Sequence, residues 1–236
     1  PGLQHGGPPS ALQVRAAERL AAAVTGRADL FACRIAVDLL RPVPVGDVEV
    51  GARLVRAGRG AVVVETSLSA GGSQRLGGRV WLLARHDTAA VADGSVPRQV
   101  PDAAPHFSFS FPFSDSVDWH EVEGAITVPG PAVVWARPRI ALVAGEDYSS
   151  LQRATLIADS GNGISATLDW DDWTFLNVDL DVHLARPIVG DWLHMAAETH
   201  LGTQGTALAR STLADTQGPV GAGAQTLLIA RRHTAD

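Results

Sequence analysis

RPVPVGDVEVGARLVRAGRGAVVVETSLSAGGSQRLGGRVWLLARH (residues 41–86) lies over RPIVGDWLHMAAETHLGTQGTALARSTLADTQGPVGAGAQTLLIARRH (residues 186–233) as one copy over another. Arg41 and Arg186, Gly60 and Gly205, Leu68 and Leu213, and Gly78 and Gly223 share an offset of 145 residues (186 − 41, 205 − 60, 213 − 68, 223 − 78). Four landmarks at one offset mark a duplicated supersecondary unit. The copies differ in polarity, with Gln225 standing against Val80, Thr199 against Leu54 and Asp179 against Arg34. One copy reads as structural, the other as carrying chemistry.

Outward from the repeat, Ser10–Thr25 is an Ala-rich helix with Pro8 and Pro9 at its entrance and Gly26 just past its end. Its small residues allow close approach to a sheet, so burial is expected. Apolar, β-branched stretches near 30–41, 46–57, 60–70 and 76–86, separated by Pro and Gly turns, read as an antiparallel meander. Residues 88–105 hold three prolines and few large apolar side chains, the composition of a linker. Beyond it, HFSFSFPFS alternates aromatic and small polar residues, EGAITVPG and AVVWARPRI read as strands, and YSSLQRATLIADSGNG reads as a helix ended by Gly161. A second meander is expected over 164–184, 190–201, 205–214 and 219–232. Leu12-Gln13 and Leu151-Gln152 occupy equivalent helices. Helix then meander, twice, gives an α+β architecture with units at 1–87 and 106–236 joined by the linker at 88–105.

Composition narrows the chemistry. The 236 residues are 46% hydrophobic and 19% charged, ordinary for a globular chain. Net charge is −6 and no basic block occurs, so a nucleic-acid partner is not expected. Every basic residue is Arg, which removes Schiff-base lysines and the phosphate-loop lysine. Cys33 is the single cysteine, so intrachain disulfides and Cys-rich zinc sites are excluded and a cytoplasmic setting fits best. No apolar run is long enough for a membrane span. The start PGLQHGG is neither a signal peptide nor a natural initiator, so the native N-terminus is expected to lie upstream.

HGGPPSAL, VDLLRPVPVGD, ADSGNGIS, NVDLDVHLARPIVGDW and the late AQTLLI together resemble the acyl-CoA thioesterase II-like (TesB-like) family, over nearly the whole chain. The resemblance implies a double hotdog: two fused units, each an antiparallel sheet wrapped on a central helix. It also implies hydrolysis of an acyl-CoA thioester without cofactor or metal. By the same resemblance Asp179, Thr199 and Gln225 hold the attacking water. Counting from Trp192, the hydroxyl position falls on Thr199 or His200; strand alternation sends these to opposite faces, and Thr199 is favoured. The oxyanion would be met at the helix entrance by Gly6 and Gly7, with His5 and Asn162 as further substrate-binding candidates. Pro8 and Pro9 have no N–H to give.

Each residue also has a plainer reading. Asp179 with Asp181 is a solvated acidic face, Gln225 a backbone cap, Thr199 an ordinary strand residue, and Asp159–Gly163 a helix stop. Asp169, Asp171 and Asp172 lack the ligand spacing of a calcium loop, and the histidines form no HExxH. Two rivals stand beside the hydrolase: an inactive acyl-CoA-binding hotdog, and an enoyl-CoA hydratase, whose paired Asp and His are not found in one segment. A homodimer of the double unit is expected. The sharpest expectation is that Asp179, Thr199 and Gln225 converge on one water beside Gly6-Gly7.

Overall fold

The computed structural model describes residues 2–232. Helix α1 (Gly7–Thr25) opens with Pro8 and Pro9 in its first turn, where a missing N–H costs nothing, and is closed by Gly26 at φ 64°. It therefore starts three residues before the expected Ser10. Ala11, Val14, Ala17 and Ala21 are fully buried on its sheet-facing side. Strands β1 (Leu30–Leu39), β2 (Glu49–Ala57), β3 (Ala61–Ala70) and β4 (Ser73–Ala84) follow. Of these β2, β3 and β4 form the expected meander, but β1 pairs with β4 instead of β2, and in the second unit the strand that follows the helices likewise pairs with the last strand.

The second unit contains β5 (Val117–Ala125), β6 (Val128–Pro138), α2 (Ser150–Ala158), α3 (Gly161–Ile164), β7 (Trp173–Asn177), β8 (Asp179–Leu184), β9 (Leu193–Leu201), β10 (Thr206–Asp215) and β11 (Gly218–Arg231). Two expectations change. EGAITVPG is not one strand but the end of β5, a turn at Ile126-Thr127 and the start of β6, with Gly124 at φ 65°. The stretch 164–184 is the end of α3, a loop and two strands broken at Val178. Asp169, Asp171 and Asp172 sit in that loop. Among the described residues no cluster of three or more His, Cys, Asp or Glu side chains is arranged to hold a metal. Among the described residues no helix is long and apolar enough to cross a membrane.

All pairings between named strands are antiparallel, in the order β2-β3-β4-β1-β8-β11-β10-β9-β6-β5, and β7 extends β8 along β11. The repeat survives at the level of register. Ala32↔Leu82 matches Asn177↔Leu227, Thr66↔Gly78 matches Ser211↔Gly223, and Leu54↔Val64 matches Thr199↔Ala209, each residue shifted by 145 (177 − 32, 211 − 66, 199 − 54). The register shift around Cys33 in β1 is matched by the break at Val178 (178 − 33 = 145). The halves join through β1 and β8, where Ala36 pairs with Asp181, its own counterpart (181 − 36 = 145). A pair of counterparts facing each other lies on a pseudo-twofold axis, so one chain makes the isologous contact of a symmetric dimer.

The two helices meet at Gly7. A Cβ there would lie 2.4 Å from the Leu156 carbonyl oxygen, so only glycine permits this approach. Gly7→Ala is expected to cost about 1–3 kcal/mol by overpacking, a fall of several degrees in melting temperature by calorimetry.

A second prediction concerns His194 in β9, which is 6% exposed and packs edge-on against Trp135 at 5.1 Å. Burial, with Arg98 adding to it, pulls its pKa from 6.5 to about 4. The unfolded chain binds this proton near its ordinary pKa and the folded chain does not. The contribution to stability is therefore complete above about pH 6.5 and lost as pH falls towards 4. Melting curves across that interval should fall less steeply for His194→Phe than for wild type.

Candidate functional site at the junction of the two units

Alternation along the strands sorts the expected site residues into two groups. Thr199 pairs with Ala209 and Ala209 with Gln225, so these three form one row across β9, β10 and β11. That row faces α3; Ala209 is 1% and Gln225 2% exposed. The neighbouring row is His200, Leu208 and Thr226, on the opposite face. Thr199, not His200, therefore shares a face with Gln225. His200 is exposed beside Glu198 and Arg210.

Asp179 belongs with the outer row. Its Oδ1 accepts from the Thr226 N–H at 2.5 Å and its Oδ2 from Thr226 Oγ1 at 3.2 Å. The break at Val178 is the cause. One extra residue faces Thr226 there, so Asn177 is turned inward in register with Leu227, fully buried Leu180 faces inward next, and Asp179 is left on the side of Thr226. The expected convergence of Asp179, Thr199 and Gln225 on one water is not what these side chains do: two face the helices and the third faces away.

The inward position is filled by Asn177, joined to Asp159, and neither is among the expected site residues. Gln225 Oε1 accepts from the Asn162 N–H at 2.9 Å and Gln225 Nε2 donates to the Asp159 carbonyl at 3.0 Å. Asn162 Nδ2 donates to Asn177 Oδ1, and Asn177 Nδ2 to Asp159 Oδ1, both at 3.0 Å. The four residues close a hydrogen-bonded ring across α2, α3, β7 and β11. Thr199 enters through Ser165, at 2.8 Å between hydroxyl oxygens. Ser165 spends its one proton on the Gly161 carbonyl, so Thr199 is the donor between them and keeps lone pairs to accept with. Gln225 keeps one N–H. A donor and an acceptor thus remain on the same inner face.

The first unit supplies the other wall. Asp159 Oδ2 lies 2.8 Å from His5 Nδ1, just ahead of α1, and the His5 ring stacks on Phe113 with centroids 3.9 Å apart. Burial raises the Asp159 pKa, but His5, Asn177 and the Gly7 N–H outweigh it and hold the carboxyl below the usual carboxylate range. A Cβ on Gly6 would sit 2.9 Å from Asp159 Oδ2, so the glycine pair lets a carboxylate reach the helix end. This revises the oxyanion expectation. The Gly7 N–H is turned to His5 and Asp159, and the Ser10 N–H to the Gly6 carbonyl, so Gly6 alone of the two glycines keeps an unpartnered N–H among the described residues.

The polarity contrast that singled out Gln225 also marks these residues. Asn177 stands against Ala32 (177 − 32 = 145), and at the helix offset set by Leu12 and Leu151 (151 − 12 = 139) Asp159 stands against Leu20 (159 − 20 = 139).

Comparison with known proteins agrees with this architecture. The family descriptions "Acyl-CoA thioesterase N-terminal domain" and "Acyl-CoA thioesterase C-terminal domain" match residues 1–83 and 93–229. The chain belongs to the acyl-CoA thioesterase family. Its fold is similar to a putative thioesterase II from Thermobifida fusca, at 19% identity and TM-score 0.76 over 98% of this chain and 88% of that one. The acyl-CoA thioesterase II TesB2 from Mycobacterium marinum shares 15% identity at TM-score 0.74, over 100% of this chain and 92% of that one. A MaoC-like dehydratase shares the fold more distantly, at 12% identity and TM-score 0.54 over 96% of this chain and 83% of that one. No curated protein matches the sequence. At these identities the structural likeness speaks for the double hotdog fold alone.

Proposed function

We propose that this thioesterase-family chain hydrolyses an acyl-CoA thioester by direct attack of water, at the inner face where the α1 entrance meets the end of α2. The observation that carries the reading is the free donor on Gln225 and the free acceptor on Thr199, on one face and joined by hydrogen bonds to the His5–Gly7 entrance. A water accepting from Gln225 and donating to Thr199 has its second proton and a lone pair left for chemistry. Gly6 N–H is the donor offered to the oxyanion, and Asn162 fixes Gln225 through its backbone. Asp179 contributes by holding Thr226, the residue after Gln225, at the strand break.

The setting this implies is cytoplasmic fatty-acyl metabolism, in a protein that assembles as a homodimer of double units and needs no cofactor. Thiol release across an acyl-CoA series tests the reaction; retained acyl-CoA binding with no release at any chain length would favour the inactive binding protein instead. Asp179→Asn is expected to lower turnover about tenfold or less, as a residue acting through its neighbour. A loss of about 10²-fold, the scale of a general base, would return that role to Asp179 and move the site to the outer face.

One observation favours a second reading. His5 and Asp159 form an imidazole–carboxylate pair assembled from two units, which no single sequence segment displays. Addition of water to an enoyl thioester, followed by loss of the conjugated chromophore, separates a hydratase from a hydrolase.

A further inference from the structure

Gln225 and Thr199 can aim a water, but neither can take its proton at neutral pH. We infer that His5 is the general base of the reaction, with Asp159 as its positioning residue. The inference rests on the hydrolase reading and identifies the base of that same site.

Three features of the pair carry it. First, the imidazole is held in one orientation, stacked on Phe113 at an interplanar angle of 2° and tied to Asp159 through Nδ1. Second, the carboxylate dictates the tautomer. Asp159 Oδ2 faces Nδ1 at 2.8 Å and its Oδ1 is taken by Asn177. The Gly7 N–H lies 3.3 Å from Nδ1 but is also directed at the carboxylate, so the shorter, charged contact puts the proton of a neutral imidazole on Nδ1 and leaves the Gly7 N–H to Asp159. Nε2 then carries a lone pair. Third, the pair runs from buried to accessible: the Asp159 side chain is 3% exposed and that of His5 21%, and Nε2 has no hydrogen-bond partner among the described residues. A buried carboxylate, an oriented imidazole and an open nitrogen form the arrangement that activates a weak nucleophile in unrelated folds.

The pair also shares atoms with the water-aiming groups. The Asp159 main chain accepts from Gln225, and its side chain closes the ring through Asn177 and Asn162. Displacing His5 or Gln225 therefore displaces the other. The reaction balances with these groups alone. His5 Nε2 takes a proton from water as its oxygen bonds to the thioester carbonyl carbon. The tetrahedral intermediate then breaks its carbon–sulfur bond, and the proton passes from Nε2 to sulfur, giving carboxylic acid and thiol.

A purely structural alternative is that the pair clamps the two units together. His5→Ala, assayed with and without added imidazole, tells the two apart. As the base, His5→Ala should lose about 10²-fold in kcat with KM little changed, and imidazole should restore at least about a tenth of the loss by filling the same space. Turnover within about threefold of wild type, or a loss in a folded variant that imidazole leaves untouched, would overturn the assignment. Nitrogen-15 spectra of the His5 ring give a readout independent of turnover: Nδ1–H is expected in wild type at neutral pH and should give way to a mixture of tautomers in Asp159→Asn. If wild type releases no thiol from any acyl-CoA yet shows the Nδ1–H tautomer, the hydrolase reading fails while the predicted geometry of the pair stands. An Nε2–H tautomer in an active wild type fails the pair alone.

Discussion

Asp159→Asn is expected to lower kcat by up to about 10²-fold, the loss of a general base whose imidazole is set in the wrong tautomer. The amide still fits between Gly6 and Asn177, so the change is electronic more than steric. Asn177 can still donate to the remaining oxygen. The new NH₂, however, faces the Gly7 N–H and His5 Nδ1, where the carboxylate had been an acceptor for both. With no anion to hold the proton on Nδ1, the imidazole is free to present Nε2–H, which cannot accept from water. The same substitution removes a negative charge from the α1 entrance, so a fall in stability of about 1–3 kcal/mol should accompany it, from donors left without their acceptor. Turnover and melting temperature must be read together. A variant that melts below the assay temperature says nothing of the chemistry, whereas a folded variant with near-wild-type kcat would leave Asp159 as a clamp only.

Gln225→Ala is expected to lower turnover roughly 10- to 10³-fold, on the scale of lost positioning or a lost stabilising donor. The Gln225 amide is 2% exposed and spans the Asn162 N–H and the Asp159 carbonyl, so its loss frees the α2–α3 turn as well as the donor to water. A Cβ on Gly161 would lie 3.0 Å from Gln225 Oε1, so that turn is built around this amide. Gln225→Glu offers the finer measurement. It keeps the acceptor for Asn162 but opposes the Asp159 carbonyl with an oxygen, so it should impair kcat nearly as much as alanine while binding acyl-CoA normally.

The repeat made the fold legible because one offset relates strands, turns and strand breaks alike. Ala32 and Asn177 sit opposite Leu82 and Leu227 in the same register, so the offset read from the sequence is also the offset of the duplicated sheet. The site was legible only in part. Gln225 and Thr199 stand out in the sequence because each is a polar residue where its copy is apolar, and Gly6-Gly7 because a helix entrance without capping side chains invites an anion. Asp179 departs from the expected face for a local reason. Period-2 alternation fails at a strand break, and a single extra residue at Val178 decides which of Asn177 and Asp179 faces inward. Asp159 was missed because a helix-ending Asp-Ser-Gly-Asn-Gly is a common stop signal, and its pairing with His5 spans the two units, 154 residues apart in the chain (159 − 5). Contacts between units leave no periodic trace in either one.

The central claim is that water attacks an acyl thioester on the inner face, between Gln225 and His5. The most direct measurement is the rate of thiol release from acyl-CoAs of increasing chain length by wild type, Gln225→Ala and Asp179→Asn, with melting curves for each. The account predicts release by wild type, a fall of 10- to 10³-fold in Gln225→Ala and of about tenfold or less in Asp179→Asn, with all three folded. Wild type that releases no thiol at any chain length, or a folded Gln225→Ala that keeps its rate while Asp179→Asn loses it, would contradict the account.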